Sequence, residues 1–206
     1  MEHDRNGKPT NITSDVARQF LVKGLAIEPI LMQGVGEMTR LILHDEQHVI
    51  SCTTQRFLHQ LCQTLFFDLK SLQEKVQKTI DKKQLVPIPL TFRFVMFPLR
   101  VVNKQKVKTR GFLWIAHRSI KQIIAVNPKM HLSEITLTNG HTFIVPYTSS
   151  FINQQIRDSY LVEYFFHEAH SMFSSPYSPT ISGQLPKEAI HDQLLRIAEE
   201  IRNYPI

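Results

Sequence analysis

The strongest constraint on the fold of this chain is the stretch LSEITLTNGHTFIVP, residues 132–146. Asn139-Gly140 between two β-branched, apolar arms predicts a β-hairpin, because both residues tolerate the backbone angles of a tight turn. A two-residue loop would mix polar and apolar side chains on each face. A three-residue loop, with Gly140 in the left-handed conformation, would separate them, and we therefore predict this register. The apolar face would then hold Ile135, Leu137, Phe143 and Val145.

Other segments carry a period of three to four residues, which indicates amphipathic helices. One covers residues 54–80, where Phe66 and Phe67 are interpreted as packing residues, and another covers 150–173. A last helix is predicted at 186–202, after a linker rich in serine and proline. Its inward positions are Ile190, Leu194, Ile197 and Ile201.

Short, β-branched and apolar runs predict further strands. They are residues 19–34 as one or two strands broken at Pro29, the hairpin arms 38–44 and 48–52, the proline-punctuated run 86–99, and the pair 110–117 and 121–126. Runs of strands and helices that do not alternate strictly indicate an α+β fold. We predict an antiparallel sheet or a partly closed PH-like barrel, with a helix at 54–80 and two C-terminal helices.

Composition sets the broad class of the protein. The chain has 206 residues, 42% of them hydrophobic and 20% charged, as in an ordinary soluble globular protein. No apolar run approaches the roughly 18 residues of a membrane span, and the polar N-terminus lacks the apolar core of a signal peptide. A cytoplasmic protein is expected. The spacing of Cys52 and Cys62 matches no metal or redox motif, so both are predicted to be thiols in or near the core.

Charge is segregated along the chain to an unusual degree. Residues 82–133 contain eleven basic residues and no acidic one. The whole chain has 24 basic and 18 acidic residues, so the remainder carries 13 − 18 = −5. Such a basic region suits a polyanionic partner.

The densest part of this region is the segment Lys104–Arg110, called the basic ribbon below. Its cations alternate with other residues, which would place them on one side of an extended segment, roughly 7 Å apart. A row at this pitch suits phosphates along a nucleic acid better than a single small anion. The alternative interpretation is a solvated charged loop. We predict DNA contacts first from Lys104, Lys106, Lys108 and Arg110, and second from Arg100, Arg118 and Lys121.

The sequence gives little support to a catalytic function. It contains no nucleophile elbow, phosphate-binding loop or paired-cysteine array. His167 and His170 could share one helical face, but they lack the H-E-x-x-H spacing of zinc hydrolases and have no evident third ligand. We therefore assign no catalytic and no metal-binding residues.

An ordered series of short elements resembles the ComK family, the competence transcription factors of low-GC Gram-positive bacteria. The series begins with Gly111, Trp114, Ile115 and His117, and continues with Asn139-Gly140, Pro146, Ser150-Phe151, Asn153-Gln154 and Arg157. A weaker match extends upstream through Arg56-Phe57 and residues 94–99. The resemblance covers most of the chain, and residues 92–165 carry its specificity.

This resemblance implies a DNA-binding activator of competence (DNA-uptake) genes. Such a protein would bind paired A/T-rich boxes largely through the minor groove, act as a multimer and need no cofactor. The resemblance also implies an adaptor that delivers the protein to a Clp protease, and RNA polymerase as a further partner. From composition and periodicity we predict a flexible polar tail at 1–14, a single α+β domain at 15–173, and a linker with the C-terminal amphipathic helix at 174–206. The resemblance makes 15–173 the DNA-binding domain.

A different class of function stays open at this point. A PH-like module with basic loops could instead bind a protein partner or acidic lipid head groups. Binding to vesicles with and without acidic lipid, measured against competing DNA, would separate the two. We also expect self-association through the helix at 150–173 or that at 186–202, because their apolar surface exceeds what a small sheet can cover.

Overall fold

Two antiparallel sheets and four α-helices make up residues 14–101 and 111–174, the parts of the chain that this computed structural model describes. The predicted α+β class is confirmed. Neither sheet closes into a barrel within these two ranges. Of the two predicted forms, the described residues therefore adopt the antiparallel sheet. The predicted polar tail and the predicted helix at 186–202 fall outside the described residues, apart from Ser14, which begins the first helix.

The larger sheet has six strands in the order β3-β2-β1-β6-β5-β4, and the smaller has three in the order β7-β8-β9. The first sheet contains β1 (Gly24–Met32), β2 (Gly36–Leu43), β3 (Gln47–Ile50), β4 (Ile88–Thr91), β5 (Phe94–Leu99) and β6 (Leu113–Ala116). The second contains β7 (Ile120–Asn127), β8 (Leu132–Leu137) and β9 (Thr142–Val145). The helices are α1 (Ser14–Lys23), α2 (Thr54–Thr64), α3 (Leu69–Thr79) and α4 (Ser149–Ser174).

The N-terminal segment differs from its prediction. Residues 19–23 are the end of α1 rather than strand, and β1 passes through Pro29 without a break. The ring of Phe20 explains the helix, since it is fully buried edge-on against Phe57, with ring centroids 5.5 Å apart. Pro29 is tolerated because β6 pairs with β1 only at Ala26 and Ile27, so that side of the strand needs no further N–H donor.

The single helix predicted at 54–80 is wrong: the structure has two helices, α2 and α3, separated by residues 65–68. Phe66 adopts a positive φ of 61°, which ends α2, and the carboxylate of Asp68 caps α3 by accepting from the Ser71 N–H at 2.8 Å. The sequence also predicts that Phe66 and Phe67, which lie between α2 and α3, are packing residues. Phe67 packs against Phe166 at 5.8 Å between centroids, but Phe66 is 97% exposed.

Most other strand predictions are confirmed. Strands β2 and β3 form the expected hairpin. The run 86–99 is not one strand but the antiparallel pair β4 and β5, of which β4 is an edge strand and β5 lies inside the sheet. Strands β6 and β7 are also present, but a short 3₁₀ turn at His117–Ser119 carries the chain from one sheet to the other between them. The predicted helix at 150–173 is confirmed as α4.

The β8–β9 hairpin has the predicted register. Ile135 pairs with Phe143, the Leu137 N–H donates to the His141 carbonyl at 2.8 Å, and Gly140 has a φ of 84°. The four residues of the expected apolar face are all buried. The Asn139 side chain additionally donates to the Leu43 carbonyl at 2.9 Å, which joins this turn to the end of β2.

Replacing Gly140 by alanine is expected to lower the free energy of unfolding by about 1 kcal/mol, because a Cβ is strained at this positive φ. Steric crowding would not contribute, since nothing lies within 4 Å of the added carbon. Urea unfolding of G140A would measure this loss of stability. Gly140→Asn is the comparison variant, which should lose less because asparagine tolerates the left-handed region. Equal losses for both variants would contradict the conformational explanation.

The core contains Trp114 and confirms the prediction for the two cysteines. Trp114 is only 3% exposed and packs with α2 and the first sheet. Cys52 and Cys62 are free, buried thiols, and burial raises the pKa of Cys62 to about 11. Both cysteines are therefore poorly reactive core residues.

Candidate nucleic-acid interface

The basic ribbon lies outside the described residues, but the structure describes both ends of the connection that carries it. β5 ends at Leu99 and β6 begins at Leu113, and these two residues are direct partners in an antiparallel pair. The connection therefore leaves and re-enters the six-stranded sheet at the same end. The connection has thirteen residues, 100–112, so its tip can lie at most about 25 Å from that end of the sheet.

Arg100 begins this connection as an exposed cation. Its backbone N–H donates to the Tyr147 hydroxyl at 3.3 Å, and its guanidinium carbon lies 4.0 Å from the centroid of the Phe112 ring. Tyr147 is itself stacked on Phe151, with centroids 4.7 Å apart. The first end of the connection is thus anchored to the other end and to the start of α4.

Gly111 fixes the far end. Its N–H donates to the Glu37 carboxylate at 3.2 Å. A Cβ at this position would lie 2.6 Å from the Thr54 hydroxyl and 2.7 Å from the Glu37 carboxylate, which is closer than real Cβ contacts allow. A residue larger than glycine would therefore have to displace the side chains of Thr54 on α2 and Glu37 on β2. The sequence singled out Gly111 only through the family resemblance.

Of the three second-ranked cations, only Arg100 lies at this end of the sheet. Arg118 follows β6, whose last residue Ala116 pairs with Met96, three residues from the Leu99–Leu113 pair. That spacing places Arg118 about 10 Å or more from the connection. Lys121 is exposed on β7, which is an edge strand of the smaller sheet.

Two cations of the acid-free region are paired with carboxylates of α4. The Arg118 guanidinium donates to both carboxylate oxygens of Glu163, at 3.0 and 3.1 Å, and Lys82 donates to Asp158 at 2.6 Å. The Arg118 side chain remains 46% exposed. Counting these two pairs, the charge of the region falls from +11 to 11 − 2 = +9, which still makes it strongly basic.

Glu163 is the centre of a buried polar cluster that sequence reasoning missed. His117 is fully buried, and its ring nitrogens lie 2.9 Å from the Glu163 carboxylate and 3.1 Å from the Val95 carbonyl. Burial alone would raise the pKa of Glu163, but hydrogen bonds and charges from His117 and Arg118 outweigh it and hold that pKa below its ordinary value. The cluster ties α4 to the turn between the two sheets.

The histidines considered for metal binding lie in an aromatic environment. The rings of His167 and His170 both contact Phe92, at centroid distances of 5.8 and 5.5 Å. Within residues 14–101 and 111–174 no three histidine, cysteine or carboxylate side chains are grouped so that they could hold a metal ion. In the same two ranges no helix has the length and apolar character needed to cross a membrane.

Comparison with known proteins gives one match. The family described as ComK protein matches residues 19–171, which include all the strands and all of α2 and α3. Neither the curated proteins nor the solved structures include a match to this chain. The matched range contains both anchors of the basic ribbon and the cluster around Glu163. The chain belongs to the ComK family.

Proposed function

We propose that this chain is a transcriptional activator of competence (DNA-uptake) genes that binds A/T-rich boxes in duplex DNA, largely through the minor groove. Membership of the ComK family supports a role in competence regulation. The observation that supports DNA as the ligand is the region of residues 82–133, which has eleven basic residues and no acidic one. Its densest cations lie on a connection whose two ends are fixed at one end of the sheet.

The proposed contacts follow from the electrostatics of A/T-rich DNA. A-tracts have a narrow minor groove, about 6 Å wide or less, whose enhanced negative potential attracts arginine and lysine side chains. The basic ribbon, carrying Lys104, Lys106, Lys108 and Arg110, would enter or follow this groove, with Arg100 at its base. Lys121 and the exposed part of Arg118 would contact phosphates farther along the duplex, because they lie away from the ribbon.

Other partners form part of the same proposal. A multimer bound to paired boxes, RNA polymerase, and an adaptor that delivers the protein to a Clp protease are those a competence activator would meet in the cytoplasm. The proposal includes no cofactor and no enzymatic activity. It treats residues 15–173 as one DNA-binding domain.

An electrophoretic mobility shift across a salt series would test the proposal. An A/T-box duplex should bind more tightly than a scrambled G/C-rich duplex at the same salt. The logarithm of the affinity should fall with the logarithm of salt concentration with a slope of roughly −4 to −5, corresponding to about five phosphate contacts. A drug that occupies the minor groove should compete.

Equal affinity for the two duplexes at matched salt, or no competition by the drug, would overturn the minor-groove proposal. Vesicles with and without acidic lipid provide the second arm of the experiment. Sedimentation of the protein with acidic vesicles, together with failure to bind either duplex, would favour a lipid-binding module instead.

A further inference from the structure

An apolar groove of about 320 Å³ runs between α3 and α4. On α3 it is lined from Asp68 to Thr79 at helical spacing, and on α4 from Val162 to His170. Apolar and aromatic side chains dominate its walls, with Lys75 on one rim. Nothing in the described residues occupies this groove, and the proposed DNA contacts do not involve it.

Aromatic side chains lie exposed along the groove. Phe66 is 97% exposed although it lines the groove, and Phe165 is 41% exposed. Phe66 also has a φ of 61°, a conformation in which glycine or asparagine is the usual residue. A large aromatic at such a position is costly in water and indicates a surface that another segment covers.

The chain itself contains a segment of matching length. Residues 186–202 carry an apolar stripe from Ile190 to Ile201, which spans about 16 Å as a helix. The α3 wall from Asp68 to Thr79 covers the same number of residues and the same length. A helix with one such stripe needs a complementary apolar surface.

Charge and connection length favour the same pairing. Residues 186–202 hold three basic and four acidic residues, a net charge of 3 − 4 = −1, whereas α3 holds three lysines and one glutamate, 3 − 1 = +2. α4 ends at Ser174, one turn beyond His170 on the groove wall. The eleven residues 175–185 can span up to about 35 Å, so the segment can turn back onto the groove.

We propose that residues 186–202 dock as a helix in the groove between α3 and α4 of the same chain. The stripe Ile190, Leu194, Ile197 and Ile201 faces the groove and covers Phe66 and Phe165. A short tether holds the segment at a millimolar effective concentration, which favours docking within one chain over docking onto a second copy. The proposal does not depend on DNA binding.

Distance measurement between two spin labels in the full chain tests this. Glu74→Cys and Arg196→Cys place labels near the middle of α3 and of the apolar stripe, so the expected distance does not depend on the direction of docking. Both native cysteines are buried, and the pKa of Cys62 is raised to about 11, so labelling will be selective. Helices in contact lie about 10 Å apart and both labels lie on their outer faces, so a narrow distribution near roughly 20 Å is expected. A large excess of unlabelled protein should not change it.

Leu194→Glu should broaden the distribution and move it to longer distance, because it puts a charge on the docked face. The matched control Leu195→Glu adds the same charge on the other side of the helix and should keep the narrow distance. Phe66→Ser changes the groove instead of the docked segment and should also broaden the distance distribution. Phe66 is exposed, so this substitution spares the core. A distribution equally broad in the parent and in Leu194→Glu would overturn the proposal. So would a short distance that disappears with unlabelled protein, since that result would indicate a second copy.

Discussion

Replacing Lys104, Lys106, Lys108 and Arg110 together with glutamine is expected to abolish specific DNA binding while leaving the unfolding temperature nearly unchanged. Removing four phosphate contacts should make the dependence of log affinity on log salt shallower by about 3 to 4. The anchors that fix the connection, Arg100 on Phe112 and Gly111 on Glu37, are untouched by these changes. Mobility shifts across a salt series and thermal unfolding would measure the two effects.

A control variant with the same change of charge separates local contacts from the effect of net charge. Lys70, Lys75, Lys78 and Lys83 are exposed and lie on or just after α3. Their replacement by glutamine should weaken DNA binding far less than replacement of the ribbon cations. Similar losses in both variants would mean that only the overall positive charge attracts DNA. A clear drop in the unfolding temperature of the ribbon variant would mean that the ribbon has a structural role.

Local signals explain why some of the fold could be predicted from the sequence. The Asn139-Gly140 turn sets its own register, because loop length alone decides whether Ile135 and Phe143 share a face. The break between α2 and α3 was missed, since the apolar period continues across it and Phe66 is not a residue expected at positive φ. The cap at Asp68 is the one signal that could have revealed it.

Contacts between distant parts of the chain could not be read from the sequence. The sequence predicts Arg118 as a DNA contact because it lies in a region without acids, yet its guanidinium donates to the carboxylate of Glu163, 45 residues away. Lys82 pairs with Asp158 across 76 residues. An acid-free region of sequence is therefore not an acid-free surface, because α4 brings carboxylates to it. This consideration leaves the ribbon cations as the strongest candidates for DNA contact.

Glu163→Gln is expected to lower the free energy of unfolding by about 1 to 2 kcal/mol near pH 7. The substitution leaves buried His117 and the Arg118 guanidinium facing a neutral amide. The loss is smaller than for a fully buried ion pair because the Arg118 side chain is 46% exposed and solvent screens its charge. Urea unfolding would measure it. The control Glu74→Gln changes an exposed carboxylate on α3, 4.0 Å from Lys70, and should have almost no effect.

The same substitution has a distinct pH dependence. Because the pKa of Glu163 is lower in the folded protein than its ordinary value of about 4.3, the carboxylate stabilises the fold fully above that value and loses this contribution as the pH falls through the folded pKa. The difference in stability between the parent and Glu163→Gln should therefore be largest near neutral pH and shrink below about pH 4. A double-mutant cycle with Arg118→Gln should show coupling between the two positions. A difference below about 0.5 kcal/mol at pH 7, within the range of ordinary surface substitutions, would show that the cluster does not hold α4 on the sheets.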